Sequence, residues 1–119
     1  MSIVIKWELK KENDEYVLVQ SYESVEKNAL TSLQKLVGGR IEVITYLDGG
    51  ALLMNEEALI NGSIVWAVPK DHPLDRLIPE HFVVQGHKVI AGSVLLVKDN
   101  GENFLGFESQ QEVKEYLNL

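Results

Sequence analysis

Ile3, Ile5, Trp7 and Leu9 alternate with Val4, Lys6, Glu8 and Lys10. Period-two alternation places the first set on a buried face and the second mostly in water, which predicts an amphipathic strand. Lys11-Glu12-Asn13-Asp14 reads as a polar turn, and Tyr16 to Tyr22 as the returning strand of an antiparallel hairpin. The period then changes. Val25, Ala29, Leu33, Leu36 and Val37 recur at helical spacing with Leu30 beside them, which predicts a helix near 24–37. Ser24 offers an N-cap hydroxyl, Glu26 suits the first turn, Lys35 suits the last, and Gly38-Gly39 supplies the stop.

Alternation resumes at Ile41, Val43 and Thr45 against Glu42, Ile44 and Tyr46. Asp48-Gly49-Gly50 turns the chain back into the apolar run Ala51-Leu52-Leu53-Met54. Asn55-Glu56-Glu57-Ala58 reads as a helical turn capped by Asn55, and Ile64 to Val68 as a further apolar run. Residues 69–81 hold all three prolines, which argues against a central strand and predicts a surface excursion with one helical turn at 74–78. Phe82-Val83-Val84, Val89-Ile90-Ala91 and the run 93–98 return to strand pattern. Asn100-Gly101 suits a type I′ turn, Asn103 to Phe107 forms the return strand, and Ser109 with Glu112 forms a capping box for a short C-terminal helix. Val113, Tyr116 and Leu117 are its apolar stripe.

These segments predict one α+β domain over residues 1–119. It has about six to eight short, mostly antiparallel strands, one main helix and a short C-terminal helix. A half-open barrel is the alternative, because the stretch 89–94 can turn a corner between strands. The runs Ala51–Met54 and Ile64–Val68 have little polar alternation and must be covered on both faces. Either the proline-rich loop or a second subunit supplies that cover. A homodimer is therefore expected, with Trp66 as its preferred interface anchor.

Composition narrows the chemistry. The net charge is −7 and the pI about 4.9, whereas nonspecific nucleic-acid binding needs clustered positive charge, so no direct nucleic-acid contact is expected. Cysteine is absent, which excludes disulfides, thiol catalysis and cysteine metal sites. No stretch approaches the roughly 18 apolar residues of a membrane helix, and Met1 to Lys6 lack a signal-peptide layout. A cytoplasmic protein is expected. His72, His81 and His87, with Asp71, Asp75 and Glu80, are suitable metal donors, but their spacing matches no helical ligand pattern; no metal and no cofactor are expected. Nucleophilic catalysis lacks a G-x-S-x-G elbow, and the glycine pairs are too short to cradle phosphate. Asn55, Glu56 and Glu57 are the remaining polar candidate for ligand binding, although adjacent Glu56 and Glu57 point about 100° apart on a helix. The aromatic residues fall at element positions among aliphatics and read as core.

The stretch Leu33-Gln34-Lys35-Leu36-Val37-Gly38-Gly39-Arg40-Ile41-Glu42-Val43 resembles the opening of a family of small domains of unknown function. That family is common in phages, plasmids and other bacterial mobile elements. The resemblance continues at Asn55-Glu56-Glu57 and resumes at Ile90 to Val97, Gly101-Glu102 and the C-terminal helix. It covers roughly residues 30–117, with a gap over the proline-rich excursion. Ala58 stands where the family usually has glycine, and Ser93 where it usually has aspartate. The resemblance implies a lineage and no particular chemistry. Together with the negative charge it leads to the expectation of a non-enzymatic accessory protein that binds a host or phage protein. A sharper form is an acidic inhibitor that fills a nucleic-acid channel. The alternative is a small enzyme or ligand-binding domain with its site between Asn55-Glu56-Glu57 and the histidine-bearing excursion. Whether the chain is an enzyme is left open.

Overall fold

The computed structural model describes residues 2–26 and 30–118. Its elements run β1 (Ser2–Glu12), β2 (Glu15–Val25), α1 (Leu30–Val37), β3 (Ile41–Leu47), β4 (Gly50–Asn55), β5 (Val65–Ala67) and α2 (Pro73–Leu77). A 3-10 turn (Glu80–Phe82), β6 (Val83–Val84), β7 (His87–Ala91), β8 (Val94–Asp99), β9 (Phe104–Leu105) and α3 (Gln110–Leu117) follow. The fold is α+β, and every strand pairing among the described residues is antiparallel.

A large sheet has the order β2-β1-β8-β4-β3, with β9 beside β8. Strands β4 and β8 lie at its centre, with Leu52 opposite Leu96 and Leu53 opposite Leu95. Successive side chains of a strand point to opposite faces, so an apolar run here faces two different cores. On one face Val4, Ala51, Leu53, Leu95 and Val97 pack against Leu33 and Val37 of α1. On the other, Ile5, Trp7, Leu52 and Leu96 pack against Trp66, Leu74, Ile78, Ile90, Val113 and Leu117. The second cover is a small sheet of order β5-β7-β6, with α2 and α3. Sandwiched in this way, the large sheet is the middle of three layers.

The proline-rich excursion is thus more than a surface loop. Its helical turn, α2, carries Leu74 fully into the larger core, and Ile78, which caps the end of α2, follows it there. Trp66 is 5% exposed inside that same core, and its indole N–H donates to the Gly92 carbonyl at 2.8 Å. The uncovered face on which an intersubunit role for Trp66 was premised is covered by the chain itself. Gly92, with φ +72°, makes the corner at which the chain passes from β7 in the small sheet to β8 in the large one.

Several local expectations give way to tertiary pairing. Ser24 does not cap a helix: β2 runs on through Val25, with Ser24 opposite Ile3. A cap is worth about 1 kcal/mol, less than the eleven-residue ladder into which Ser24 is drawn. The described helix begins at Leu30; Ala29 lies outside the described residues. Val4 faces the α1 core rather than water. Among the described residues the strands number nine, and β1 and β2 have 11 residues each, more and longer than expected. A bulge at Ile44 separates the pairs Val43–Leu53 and Thr45–Leu52, and Val43 packs against the α1 core while Ile44 lies in the larger one.

The Asn100-Gly101 hairpin forms, but not as a two-residue type I′ turn. Asp99 pairs with Phe104, leaving a four-residue loop in which Gly101 has the left-handed φ of +91° and Asn100 does not. The Asn100 side-chain oxygen instead accepts from the N–H groups of Glu102 and Asn103 at 2.9 and 2.7 Å. Paired left-handed residues occur at Asn13-Asp14 and at Gln85-Gly86, each closing a two-residue hairpin. The C-terminal end of α1 and the N-terminal end of α3 agree with the sequence reading. Gly38, at φ +83°, follows α1, and the N–H groups of Gly38 and Gly39 both reach the Gln34 carbonyl. Ser109 accepts from the Glu112 N–H at 3.2 Å, while the Glu112 carboxylate accepts from the N–H of Glu108.

Candidate functional site

Asn55 closes β4 and is only 6% exposed. Its side-chain N–H donates to the Val37 carbonyl at the end of α1 (3.0 Å), and its side-chain oxygen accepts the Glu57 N–H (2.7 Å). The neighbouring Glu56 N–H donates to the Arg40 carbonyl at 2.8 Å. The Asn55 amide thereby ties the last turn of α1 to the turn after β4, and the Glu56 N–H ties that turn to the entry of β3. Gly39 permits this approach, since a Cβ there would stand 3.1 Å from the Asn55 nitrogen. Both ends of the Asn55 amide are occupied by backbone, while Glu56 and Glu57 are exposed on the turn.

A second polar cluster lies on the same side of the sheet. Lys6 pairs with Leu95, and Leu95 with Leu53, so the next positions along this face are Glu8, Ser93 and Asn55. The Ser93 hydroxyl donates to Glu8 Oε2 at 3.1 Å, and Lys6 and Lys10 stand 3.3 and 3.5 Å from Glu8 Oε1. Burial raises the Glu8 pKa, but the charge and hydrogen bond of Lys6, the Ser93 hydroxyl and the charge of Lys10 outweigh it and hold the carboxyl below its ordinary value. The arrangement fixes an ionised carboxylate between two ammonium groups. Reading the sequence did not find this cluster, because Ser93 and Glu8 are 85 residues apart and meet only through the β1–β8 pairing.

The three histidines have separate environments. His72 is the N-cap of α2, its Nδ1 accepting the Leu74 N–H at 3.1 Å, and its ring stands edge-on to Trp7 at 5.5 Å. His81 lies against Phe82, and His87 is exposed at the start of β7. Among the described residues no group of three His, Asp or Glu is placed to hold a metal ion. Two cations instead clasp α2. The nearly buried Lys88 ammonium donates to the Asp75 carbonyl, and the Arg76 guanidinium donates to the Leu117 carbonyl at the end of α3.

Burial pushes the His72 pKa below its ordinary 6.5, with the Asp71 charge opposing. The neutral ring is also the form that can accept from Leu74. A depressed folded pKa means stability that is complete above pH 6.5 and lost as pH falls through 6.5 towards the folded value. The midpoint of thermal unfolding is therefore expected to fall on acidification from pH 7 to 5. His72→Asn, which keeps a cap acceptor without a titrating group, should show a flatter profile over that range in a melt series. Equal slopes for the two proteins would remove His72 as the source.

The surface carries two further features. Leu59 and Ile60, on the turn after Asn55, are 75% and 82% exposed, and the outer side of the small sheet adds exposed Val65 and Val84. Near the opposite end of β4, Tyr46, Asp99, Gly101, Glu102, Asn103 and Phe104 line an open depression of about 370 Å³. No described helix is long and apolar enough to cross a membrane.

No curated protein matches the chain, and no solved structure does. A family model does match, and it extends beyond the 30–117 resemblance to take in β2 and the whole proline-rich excursion. Spanning residues 9–119, from the middle of β1 onward, the match shows that the chain belongs to the family Domain of unknown function (DUF3846).

Proposed function

We propose that this domain is a non-enzymatic protein-binding module, an accessory protein of a bacterial mobile element that acts in the cytoplasm on a host or phage protein. The observation that supports it is the tandem exposure of Leu59 and Ile60 on a turn that leads directly into the small sheet. Ala58, next to them, is buried in the larger core, so the turn is anchored while its two largest aliphatic side chains stand in water. Burying a side chain of this size is worth about 1.5–3 kcal/mol. Two adjacent ones on an anchored turn are a concentrated source of binding energy for a partner surface. The mobile-element setting follows from the sequence resemblance.

The test compares the native chain with Leu59→Asp/Ile60→Asp as baits in a lysate of a bacterial host. Both side chains are exposed, so the double variant is expected to melt within a few degrees of the native protein. A protein captured by the native bait and depleted at least about tenfold by the variant, as the loss of one buried aliphatic contact predicts, supports the reading. Equal capture by both baits, or no partner under several salt conditions, overturns it.

A further inference from the structure

We propose that the depression between β3 and the β8–β9 hairpin is a receptor for a guanidinium group, an arginine side chain of the protein partner. The inference rests on the protein-binding reading above and names the chemistry of one contact. Tyr46 on β3 and Phe104 on β9 approach across the sheet with their ring centroids 6.2 Å apart and their planes inclined by 30°. Ala51 of β4 is paired with both Tyr46 and Val97, so the position beside Tyr46 carries only a methyl group. Phe104 is half-buried against the α1 core, but Tyr46 is 64% exposed. An exposed phenol ring of that size presents a π face to whatever enters the depression.

The rest of the lining gives the sign of the ligand. Asp99 and Glu102 are both part of the wall, and among the described residues neither has a cationic side chain within 4.0 Å. Lys98, adjacent to Asp99 in sequence, is paired instead with Glu112 of α3 at 3.1 Å, on the other side of the sheet. Asp99 is held in place by the Gly101 N–H at 3.0 Å, and the loop that carries Glu102 is pinned by Asn100. The carboxylate is thus set before any ligand arrives, which lowers the ordering cost of binding.

A π face beside two carboxylates is complementary to a planar delocalised cation. Guanidinium is more weakly hydrated than ammonium, stacks on aromatic faces and donates in a fork to carboxylates. Lysine offers only a compact, strongly hydrated charge, so the site should prefer arginine. A net charge of −7 favours the approach of a basic partner surface.

The experiment is an amide NMR titration of the whole chain with a blocked Gly-Arg-Gly peptide, against blocked Gly-Lys-Gly and Gly-Gln-Gly. Saturable shifts confined to Tyr46 and residues 99–104, with an affinity on the order of 1–10 mM, are expected for arginine. Lysine should bind at least about threefold more weakly, and glutamine should give no localised shift. Tyr46→Ala is expected to weaken arginine about tenfold, as is Asp99→Asn/Glu102→Gln. Tyr46 and Glu102 are exposed, and intact spectra elsewhere establish that the variants fold. Absence of shifts at these residues, equal binding of arginine and glutamine, or unchanged binding by both variants overturns the proposal. An NMR-silent depression alongside partner capture that depends on Leu59 and Ile60 would reject the arginine site alone; loss of capture dependence with a working arginine site would reject the wider reading.

Discussion

Replacing Trp7 by alanine is expected to cost about 3–5 kcal/mol of folding stability, the range for truncating a buried indole. Domains of this kind hold about 5–15 kcal/mol in total, so the variant should be near the edge of unfolding at 25 °C. Trp7 has no exposed surface and lies on the β1 face that meets α2 and the small sheet. Its indole N–H donates to the Gln20 side chain at 2.9 Å across the β1–β2 pair, and its ring receives the edge of His72. The substitution opens a cavity beneath the α2 cap and leaves the Gln20 oxygen to water. Urea unfolding followed by circular dichroism measures the loss. An unfolding free energy within about 1 kcal/mol of native would show that the larger core closes over the gap, against the dense packing expected of such interiors.

The second large effect is expected at Asn55. Asn55→Ala removes a donor to the Val37 carbonyl and an acceptor for the Glu57 N–H in a buried place, and should destabilise by about 2–4 kcal/mol. Asn55→Asp keeps the acceptor but turns a carboxylate oxygen towards the Val37 carbonyl, so it should not rescue. Hydrogen exchange gives a local reading: the Glu57 amide should lose protection in Asn55→Ala, where its acceptor is gone, and keep more of it in Asn55→Asp, which retains the oxygen. If Asn55→Ala instead unfolds at the native urea concentration, the amide is not a structural tie, and a ligand role for Asn55 regains ground.

Local signals were legible wherever a short stretch decides its own geometry. The Gly38-Gly39 stop, the Ser109 cap and the hairpin at Asp48-Gly49 need only neighbouring residues. The misreadings have a common cause in distant pairing. Ser24 has the chemistry of a cap, but the ladder to Ile3 claims it. Val4 alternates as a water-facing residue, yet α1 returns over that face. Trp66 looks in the sequence like a residue in search of a partner because the larger core that encloses it, to which Leu74 and Ile78 also belong, forms only once the small sheet lies over the large one. At the site, the capping role of Asn55 was visible, but its bond to Val37 was not, because nothing in the sequence says that α1 ends beside β4. Tyr46 and Phe104 were read as core, which describes Phe104 and not Tyr46.

The central position of β8 has a consequence for how the chain reaches its fold. The β1–β2 and β3–β4 hairpins each pair residues close in sequence and can form as soon as they are synthesised. Among the described residues they have no ladder to each other, and β8 alone joins them, pairing with β1 on one side and β4 on the other. A ribosome-bound chain that has emerged only as far as β7 therefore holds two hairpins with open edges and an apolar gap between them. Contacts of high sequence separation such as Glu8 with Ser93 form late, since the loop-closure entropy must be met before they contribute. Assembly is then expected to be close to all-or-none, with the insertion of one six-residue strand as the step that commits the molecule.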